Sequence, residues 1–232
     1  MTTATRTFLL LTALVGLLAL PASASAGDAE KPRESPKVLS SGLSFGWMWF
    51  GDEAVQSVYA DKGRFVTKLH LGFVPWSKYV HVEINTSFSF SQFTGDQQFV
   101  SGSGSSADWV MMTLFPFGVD LLVGVDLVYE QPVVPYGGIG LNWTVFREHD
   151  RTSKWNGYRM GPSAFFGAAI LLDTFERSRA AALDSKSGIN DAFLTIEGRY
   201  NGAKTLFEDG AATVGSFGLQ GWQMMIGIKL NI

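Results

Sequence analysis

The sequence predicts an all-β protein, an eight-stranded antiparallel up-and-down transmembrane β-barrel with a short helix at its turn end. Three observations carry that expectation. The stretch YVHVEINTSFSFSQF (79–93) alternates with period two: Val80, Val82, Ile84, Thr86, Phe88 and Phe90 fall on one face, and His81, Glu83, Asn85, Ser87, Ser89 and Ser91 on the other. Eight segments share this habit, and after residue 26 no apolar run is long enough for a spanning helix, which needs about 20 residues. The links between the segments alternate between short turns and longer polar or Gly-rich loops.

Bulk composition narrows the function classes. At 232 residues one all-β domain suffices. Only 17% of residues are charged and the formal net charge is −3, so there is no basic face for nucleic acid. Cysteine is absent, which excludes disulfides, thiolate metal sites and a cysteine nucleophile.

Residues 1–26 carry Arg6, an apolar run from Phe8 to Leu20, and small residues ending Ala22-Ser23-Ala24 or Ala24-Ser25-Ala26. That order predicts a secretory signal peptide cleaved after Ala24 or Ala26, because the apolar run is too short to span a bilayer and an A-x-A follows it. Residues 27–40 are polar, contain two prolines and read as a flexible lead-in; the barrel is expected over 41–232. Its strands are expected at 42–50, 64–74, 79–93, 109–122, 133–146, 158–172, 191–201 and 217–232. Short links fall at Pro75–Lys78 and around Asp126, and long ones at 51–63, 94–107, 147–157 and 201–216. The segment DTFERSRAAALDSKSG (173–188) predicts a helix opening near Asp173 or Thr174 and closed by Gly188.

Alternation alone does not say which face is inside. Aromatic position does, since Trp and Tyr gather at the membrane–water boundary on lipid-facing positions. Followed to the long-loop end, the apolar parity delivers Trp47, Trp49, Phe65, Phe90, Trp109, Trp143, Tyr158, Tyr200 and Trp222. An aromatic on every strand at one level and on one face fits an interfacial girdle better than a core. A second girdle of Phe73, Trp76, Tyr79 and Tyr136 is expected at the turn end. The other parity then fills the lumen, with a polar cluster of Lys68, His70, His81, Glu83, Arg159, Glu197 and Arg199. Eight strands leave an interior that side chains can fill, so these groups should pair with one another. Met112, Phe165 and Phe193 should help plug it, and Gly138, Gly140 and Gly167 should leave room for large neighbours.

Several patterns invite sharper chemistry. His70, His81 and Glu83 supply residue types for a metal or acid–base site, but they also satisfy one another as lumen polar groups. His149, Asp150 and Ser153 supply the types of a hydrolase triad; crowded onto one loop, they lack the rigid spacing that triad geometry demands. Arg147, Arg151 and Lys154 in the same loop suit lipopolysaccharide phosphates. Gly137-Gly138-Ile139-Gly140 lacks the following helix of a phosphate loop, and the sequon Asn142-Trp143-Thr144 lies inside a strand.

From Pro132 onward, PVVPYGGIGLNW (132–143), GAAILLDTFERSRAAALDSKSGIND (167–191) and a closing amphipathic strand resemble the family of small Gram-negative outer-membrane β-barrel proteins of the OmpA-like kind. The resemblance extends over most of the mature chain and is better in its second half. It implies an outer-membrane location and a periplasmic place for ILLDTFERSRAAAL; because the family is defined by architecture, it lends no catalytic residue. GWQMMIGIKLNI (221–232) resembles the C-terminal signal read by the barrel-assembly machinery, which Gly227, Leu230 and Ile232 fit. It departs from that signal at Ile232, usually an aromatic, and at Met225, usually polar.

The expected function is a structural or envelope-interaction role in the outer membrane, with a lumen filled by polar side chains, no large pore, no enzymatic activity and no cofactor. Expected partners are outer-membrane lipid and lipopolysaccharide, with the barrel-assembly machinery during biogenesis and no nucleic acid. The alternatives are a narrow channel or transport protein, a lipid-modifying outer-membrane enzyme, and a secreted soluble barrel carrying a small apolar ligand.

Overall fold

Eight strands follow one another around a closed barrel, each hydrogen-bonded to its sequence neighbours and the last to the first. The computed structural model describes residues 38–59, 63–77, 79–98, 105–127, 131–150, 154–172, 189–203 and 218–232. The expected signal peptide, most of the lead-in and the expected helix at 173–188 lie outside the described residues. The elements are β1 (Leu39–Phe50), α1 (Glu53–Tyr59), β2 (Arg64–Ser77), β3 (Val80–Gln98), β4 (Ser105–Val125), β5 (Val133–His149), β6 (Lys154–Leu171), β7 (Asp191–Asn201) and β8 (Gly221–Asn231). All pairings are antiparallel. β1 and β8 close the ring from Ser40↔Asn231 to Phe50↔Gly221, and the amides of Val38 and Leu39 donate to the carbonyl of Ile232 at 3.0 and 2.9 Å. Closure leaves no edge within the ring.

Burial is inverted relative to a water-soluble barrel. On β8, Trp222, Met224, Ile226 and Ile228 are exposed while Gln223, Lys229 and Asn231 are buried. The opening stretch behaves alike: Ile84, Phe88 and Phe90 point out, and Glu83, Asn85, Ser89 and Ser91 point in. Apolar side chains thus cover the outer wall, and polar ones fill the inside.

The strands differ in height. β3 reaches Gln98, although its pairing with β2 ends at Val66↔Ser91; β6 reaches out to Lys154, although its pairing with β7 ends at Ser163↔Asn201. Within the segments 94–107 and 147–157, expected as loops, the described residues 94–98, 105–107, 147–149 and 154–157 continue as strand: Gln98↔Ser105 and His149↔Lys154 are still in register. Cross-strand pairing continues past the barrel because these polar stretches keep β-competent residues such as Thr94 and Trp155. Similarly, β1 begins at Leu39, three residues before the strand start expected at 42.

The segment 51–63 contains a helix that the sequence reading missed. Asp52 caps it, its Oδ1 accepting from the amides of Ala54 (3.0 Å) and Val55 (3.4 Å), and Glu53 adds a favourable charge in the first turn. Val55, Val58 and Tyr59 follow at helical spacing and turn toward the barrel mouth.

Candidate functional site

The lumen is built in tiers, because each strand contributes one inward side chain every second residue. At the middle lies an ionic layer. Glu197 Oε1 accepts from Lys68 Nζ at 2.8 Å and from Arg199 Nε at 3.0 Å, and Arg199 Nη1 reaches both Asp120 oxygens at 3.0 Å. Ser163 Oγ donates to Asp120 Oδ1 at 3.1 Å, and the Arg199 guanidinium lies 4.2 Å from the Phe165 ring centre. A second node lies nearer the turn end, where Glu83 is fully buried. Its carboxylate takes Ser40 Oγ and Lys229 Nζ as donors and pairs with His81 Nε2 at 2.8 Å. Three carboxylates, Glu83, Asp120 and Glu197, thus face three cations, Lys68, Arg199 and Lys229, so charge balances across these two nodes. Paired in this way, buried charge is tolerable.

Between the ionic layer and the turn end is a cavity of ≈ 70 Å³, lined among others by Lys68, His70, His81, Tyr136, Glu197 and Asn231. At about 10–15 Å³ per water this holds a handful of waters. Above the ionic layer a cavity of ≈ 10 Å³, lined by Ser87, Ser89, Asn142 and Gln223, has room for one at most.

The loop end of the lumen is apolar. Met48, Phe50, Val66, Phe93, Met112, Leu114, Phe146, Leu219 and Met225 form one buried cluster with Val55 and Tyr59 of α1. Phe50 and Phe93 pack at 4.7 Å between ring centres. Burial, with the nearby Glu148 carboxylate adding to it, holds the Tyr59 phenol above its ordinary pKa, so it enters the plug uncharged. The lid is stitched in place: Asp52 Oδ2 accepts from the amide of Gly218 at 2.8 Å, and the amide of Gly51 donates to the carbonyl of Gln220 at 2.8 Å.

Of the seven expected lumen residues, the structure brings Lys68, Glu197 and Arg199 into one layer, His81 and Glu83 into the second node, and places His70 on the cavity wall. Arg159 is elsewhere. It lies toward the loop end, 5.4 Å from the Phe146 ring, with Nη1 donating to the carbonyl of Tyr158 at 3.0 Å. Lys68 lies beside β3 in sequence order, yet it pairs with Glu197 of β7, and Glu83 is left to Lys229 of β8. Asp120, whose inward parity the sequence already gives, completes the network, and Ser163 and Tyr136 join it without having been singled out as its members.

Tyr136 corrects the expected second girdle. It shares inward parity with Gly138 and Gly140, and its hydroxyl donates to Glu197 Oε2 at 3.4 Å. The absent side chain of Gly167 makes the space, since a Cβ there would stand 2.7 Å from the Tyr136 ring. Gly138 admits Phe165 in the same way, at 2.4 Å. Phe73, Trp76 and Tyr79 remain on the outer surface at the turn end, and Trp47, Phe65, Phe90, Trp109, Tyr158 and Trp222 at the other. Of the proposed triad, His149 packs edge-on against Trp109 at 6.0 Å, and Ser153 lies outside the described residues. Among the described residues no group of three or more potential metal ligands is assembled. In the C-terminal strand Gly227 faces inward against Ser44, while Leu230 and Ile232 lie on the outer parity.

The architecture is that of a small, closed eight-stranded barrel with a filled interior. No protein-family model matches the chain, and no curated protein sequence does. Among solved structures its fold is similar to that of Neisserial surface protein A, with a TM-score of 0.51 at 10% identity, over 84% of this chain and 97% of that one. Ail, the attachment invasion locus protein of Yersinia pestis, aligns at 0.47 and 10% identity over 85% of this chain and 100% of that one. The N-terminal β-barrel domain of Pseudomonas aeruginosa OprF aligns at 0.40 and 11% over 85% and 100%. The likeness is one of fold, a small closed eight-stranded barrel.

Proposed function

We propose that this chain is an integral outer-membrane barrel with a structural or envelope-interaction role, sealed against bulk flow and not an enzyme. The observation that carries the reading is the pairing of an apolar outer wall, ringed by aromatics, with an interior crossed by two nodes of paired buried charges. In water such a wall would be an aggregation surface far beyond the few hundred Å² that soluble monomers expose; in a bilayer it is solvated by lipid. The tiers argue against a wide pore, since a conducting column would have to pass both an ionic layer and an apolar plug. Contacts with partners then fall to the projecting loop end, where Arg147 and Lys154 suit lipopolysaccharide phosphates. The signal peptide and the terminal strand with Gly227, Leu230 and Ile232 suit export followed by delivery to the barrel-assembly machinery.

The experiment is protein purified from outer membranes and compared on a gel unboiled and boiled, followed by single-channel recording in planar bilayers. The folded barrel should migrate differently from the heated chain and show no wide-porin conductance. Identical migration would sink the barrel in the membrane, and large, stable openings would favour the channel reading instead.

A further inference from the structure

The cavity between the ionic layer and the turn end has a wall whose charged groups are already matched. Lys68 pairs with Glu197, Arg199 with Glu197 and Asp120, and Lys229 and His81 with Glu83. Asp126 and Asp191, which line the same cavity, are not free either. The groups left over are neutral. Asn85 and Asn231 line the cavity and are only 6% and 3% exposed, yet the side-chain oxygen of each has no hydrogen-bond partner among the described residues. The strand register explains why. Asn85 stands opposite Gly72, Gly72 opposite Ser40, and Ser40 opposite Asn231. Gly72 offers no side chain, and the Ser40 hydroxyl already donates to Glu83. On the other flank Asn85 faces Asp120 and Asn231 faces Asp191, carboxylates that accept and do not donate. The His70 imidazole lies on the same wall, and Leu122, Val134, Tyr136 and Phe193 add apolar surface from β4, β5 and β7.

We propose that this cavity is a binding site for a small neutral polyhydroxyl compound, a polyol or a monosaccharide. Hydroxyl groups both donate and accept, so a short run of them completes an orphan amide oxygen at one end and an imidazole or an amide NH2 at the other. The C–H face of the same molecule rests on the apolar surface, a composition common to small-molecule sites. A charged ligand has no free counter-charge here, and recruiting one from Glu83 or Glu197 would leave a buried cation unpaired. A purely apolar ligand would leave the amides unpaired instead. Size agrees. A volume of ≈ 70 Å³ gives about five to seven water sites, and at about 30 Å³ of liquid volume for each the displaced space suits about three to six carbons with their hydroxyls. The ionic layer and the apolar plug bar the way from the loop end, so the ligand enters from the turn side. The site rests on the sealed barrel proposed above, and heat-modifiable migration reads separately whether each variant forms that barrel.

The test uses the full-length folded barrel in a zwitterionic detergent without a sugar headgroup. The probes are glycerol and glucose, with glucosamine as the cationic counterpart and gluconate as the anionic one. The readout is the side-chain amide signals of Asn85 and Asn231 in NMR spectra. The expected result is a saturable shift with glycerol or glucose, and binding of the two charged probes weaker by at least about tenfold. Ala169→Leu fills the cavity with apolar atoms, and Asn231→Leu, read at Asn85, removes one amide at matched size. Both should keep heat-modifiable migration and weaken the better neutral probe by at least about tenfold. Ser89→Ala, in the small cavity on the other side of the ionic layer, should leave binding unchanged. The proposal is overturned if neither neutral probe shifts the amides at about 100 mM, where so small a ligand has no useful affinity left to show and the cavity holds water alone. It is equally overturned if glucosamine or gluconate binds as well as glucose, or if Ala169→Leu binds like the parent. Should a variant lose heat-modifiable migration, the barrel rather than the site has failed, and the comparison of probes on the parent still decides.

Discussion

Lys68 on β2 places Nζ 2.8 Å from Glu197 Oε1 on β7, joining two strands that are not neighbours in the ring. The same oxygen accepts from Arg199 at 3.0 Å. Because Glu197 serves two cations in the buried middle of the lumen, Glu197→Ala leaves both Lys68 and half of Arg199 uncompensated. The expected loss is about 3–5 kcal/mol in reversible unfolding in lipid vesicles, the range for breaking a buried pair from one side. Arg159→Ala should cost far less, since Arg159 belongs to no part of that layer. An equal loss for both variants would mean that the ionic layer contributes nothing special.

The outer wall gives a second expectation. Ile84 and Ile226 are each about half exposed on the apolar face, 48% and 49%. Replacing either by Arg should cost about 2–4 kcal/mol where the position lies near the bilayer midplane. The same unfolding measurement checks it, and a negligible cost at both sites would defeat the lipid-facing assignment. Ser87→Arg, on the inward parity, should act through crowding of the lumen instead.

How far all this was legible depends on the range of the interaction involved. Strand parity is local, so the two faces of 79–93 and the inward placement of Met112, Phe165 and Phe193 could be read directly. Partners across the lumen are set by shear and tilt, which no local pattern encodes; hence Lys68 finds Glu197 and Glu83 finds Lys229. Tyr136 was readable in principle, for Gly138 and Gly140 already fixed its parity, but its aromatic character suggested a girdle. The helix α1 carried its own signals in Asp52, Glu53 and the spacing of Val55, Val58 and Tyr59. They were obscured by the polar neighbours that make 51–63 look like any outer loop.

Gly72 sets a third expectation. A Cβ there would stand 2.2 Å from both Asn85 Oδ1 and Glu83 Oε1 and 2.3 Å from Ser40 Oγ. Gly72→Ala must therefore displace the Glu83 node, at roughly 1–3 kcal/mol as for other overpacked interiors. Gly51 meets its nearest atoms at 3.7 and 3.8 Å, ordinary contact, so Gly51→Ala is the matched control with little effect. Thermal unfolding followed by gel migration compares the two; indifference to Gly72→Ala would show that the node yields freely.

For the projecting end, removing Arg147, Arg151 and Lys154 together should weaken association with lipopolysaccharide, more visibly at low than at moderate salt, because exposed charges are screened. His81→Gln should leave that association unchanged, as His81 lies at the opposite end beside Glu83. Arg151 lies outside the described residues. If the loop variant binds like the parent and the His81 variant does not, the lumen rather than the rim makes the contact.

The last expectation concerns the seal. The mouth is closed by an apolar cluster to which α1 contributes Val55 and Tyr59, each less than 5% exposed, and the helix is held by the Asp52 cap and the bond from Gly218 to Asp52. Val55→Asp would place a carboxylate among Phe50, Phe93 and Met112, where burial of an unpaired charge costs several kcal/mol. The helix can escape that cost by leaving the mouth, whereas the barrel strands, fully paired, cannot follow. The variant should therefore keep its heat-modifiable migration while the outer plug loosens. Asp52→Ala should act more mildly in the same direction, losing a cap worth about 0.5–2 kcal/mol. Even with α1 displaced, the Lys68–Glu197–Arg199–Asp120 layer still crosses the lumen, so planar-bilayer recordings should show at most small, infrequent openings in Val55→Asp. Adding Glu197→Ala to Val55→Asp should enlarge or prolong them beyond either change alone. If Val55→Asp by itself conducts like a wide porin, the apolar plug is the whole seal and the ionic layer offers no barrier; if the double variant stays closed, neither tier is what closes the barrel.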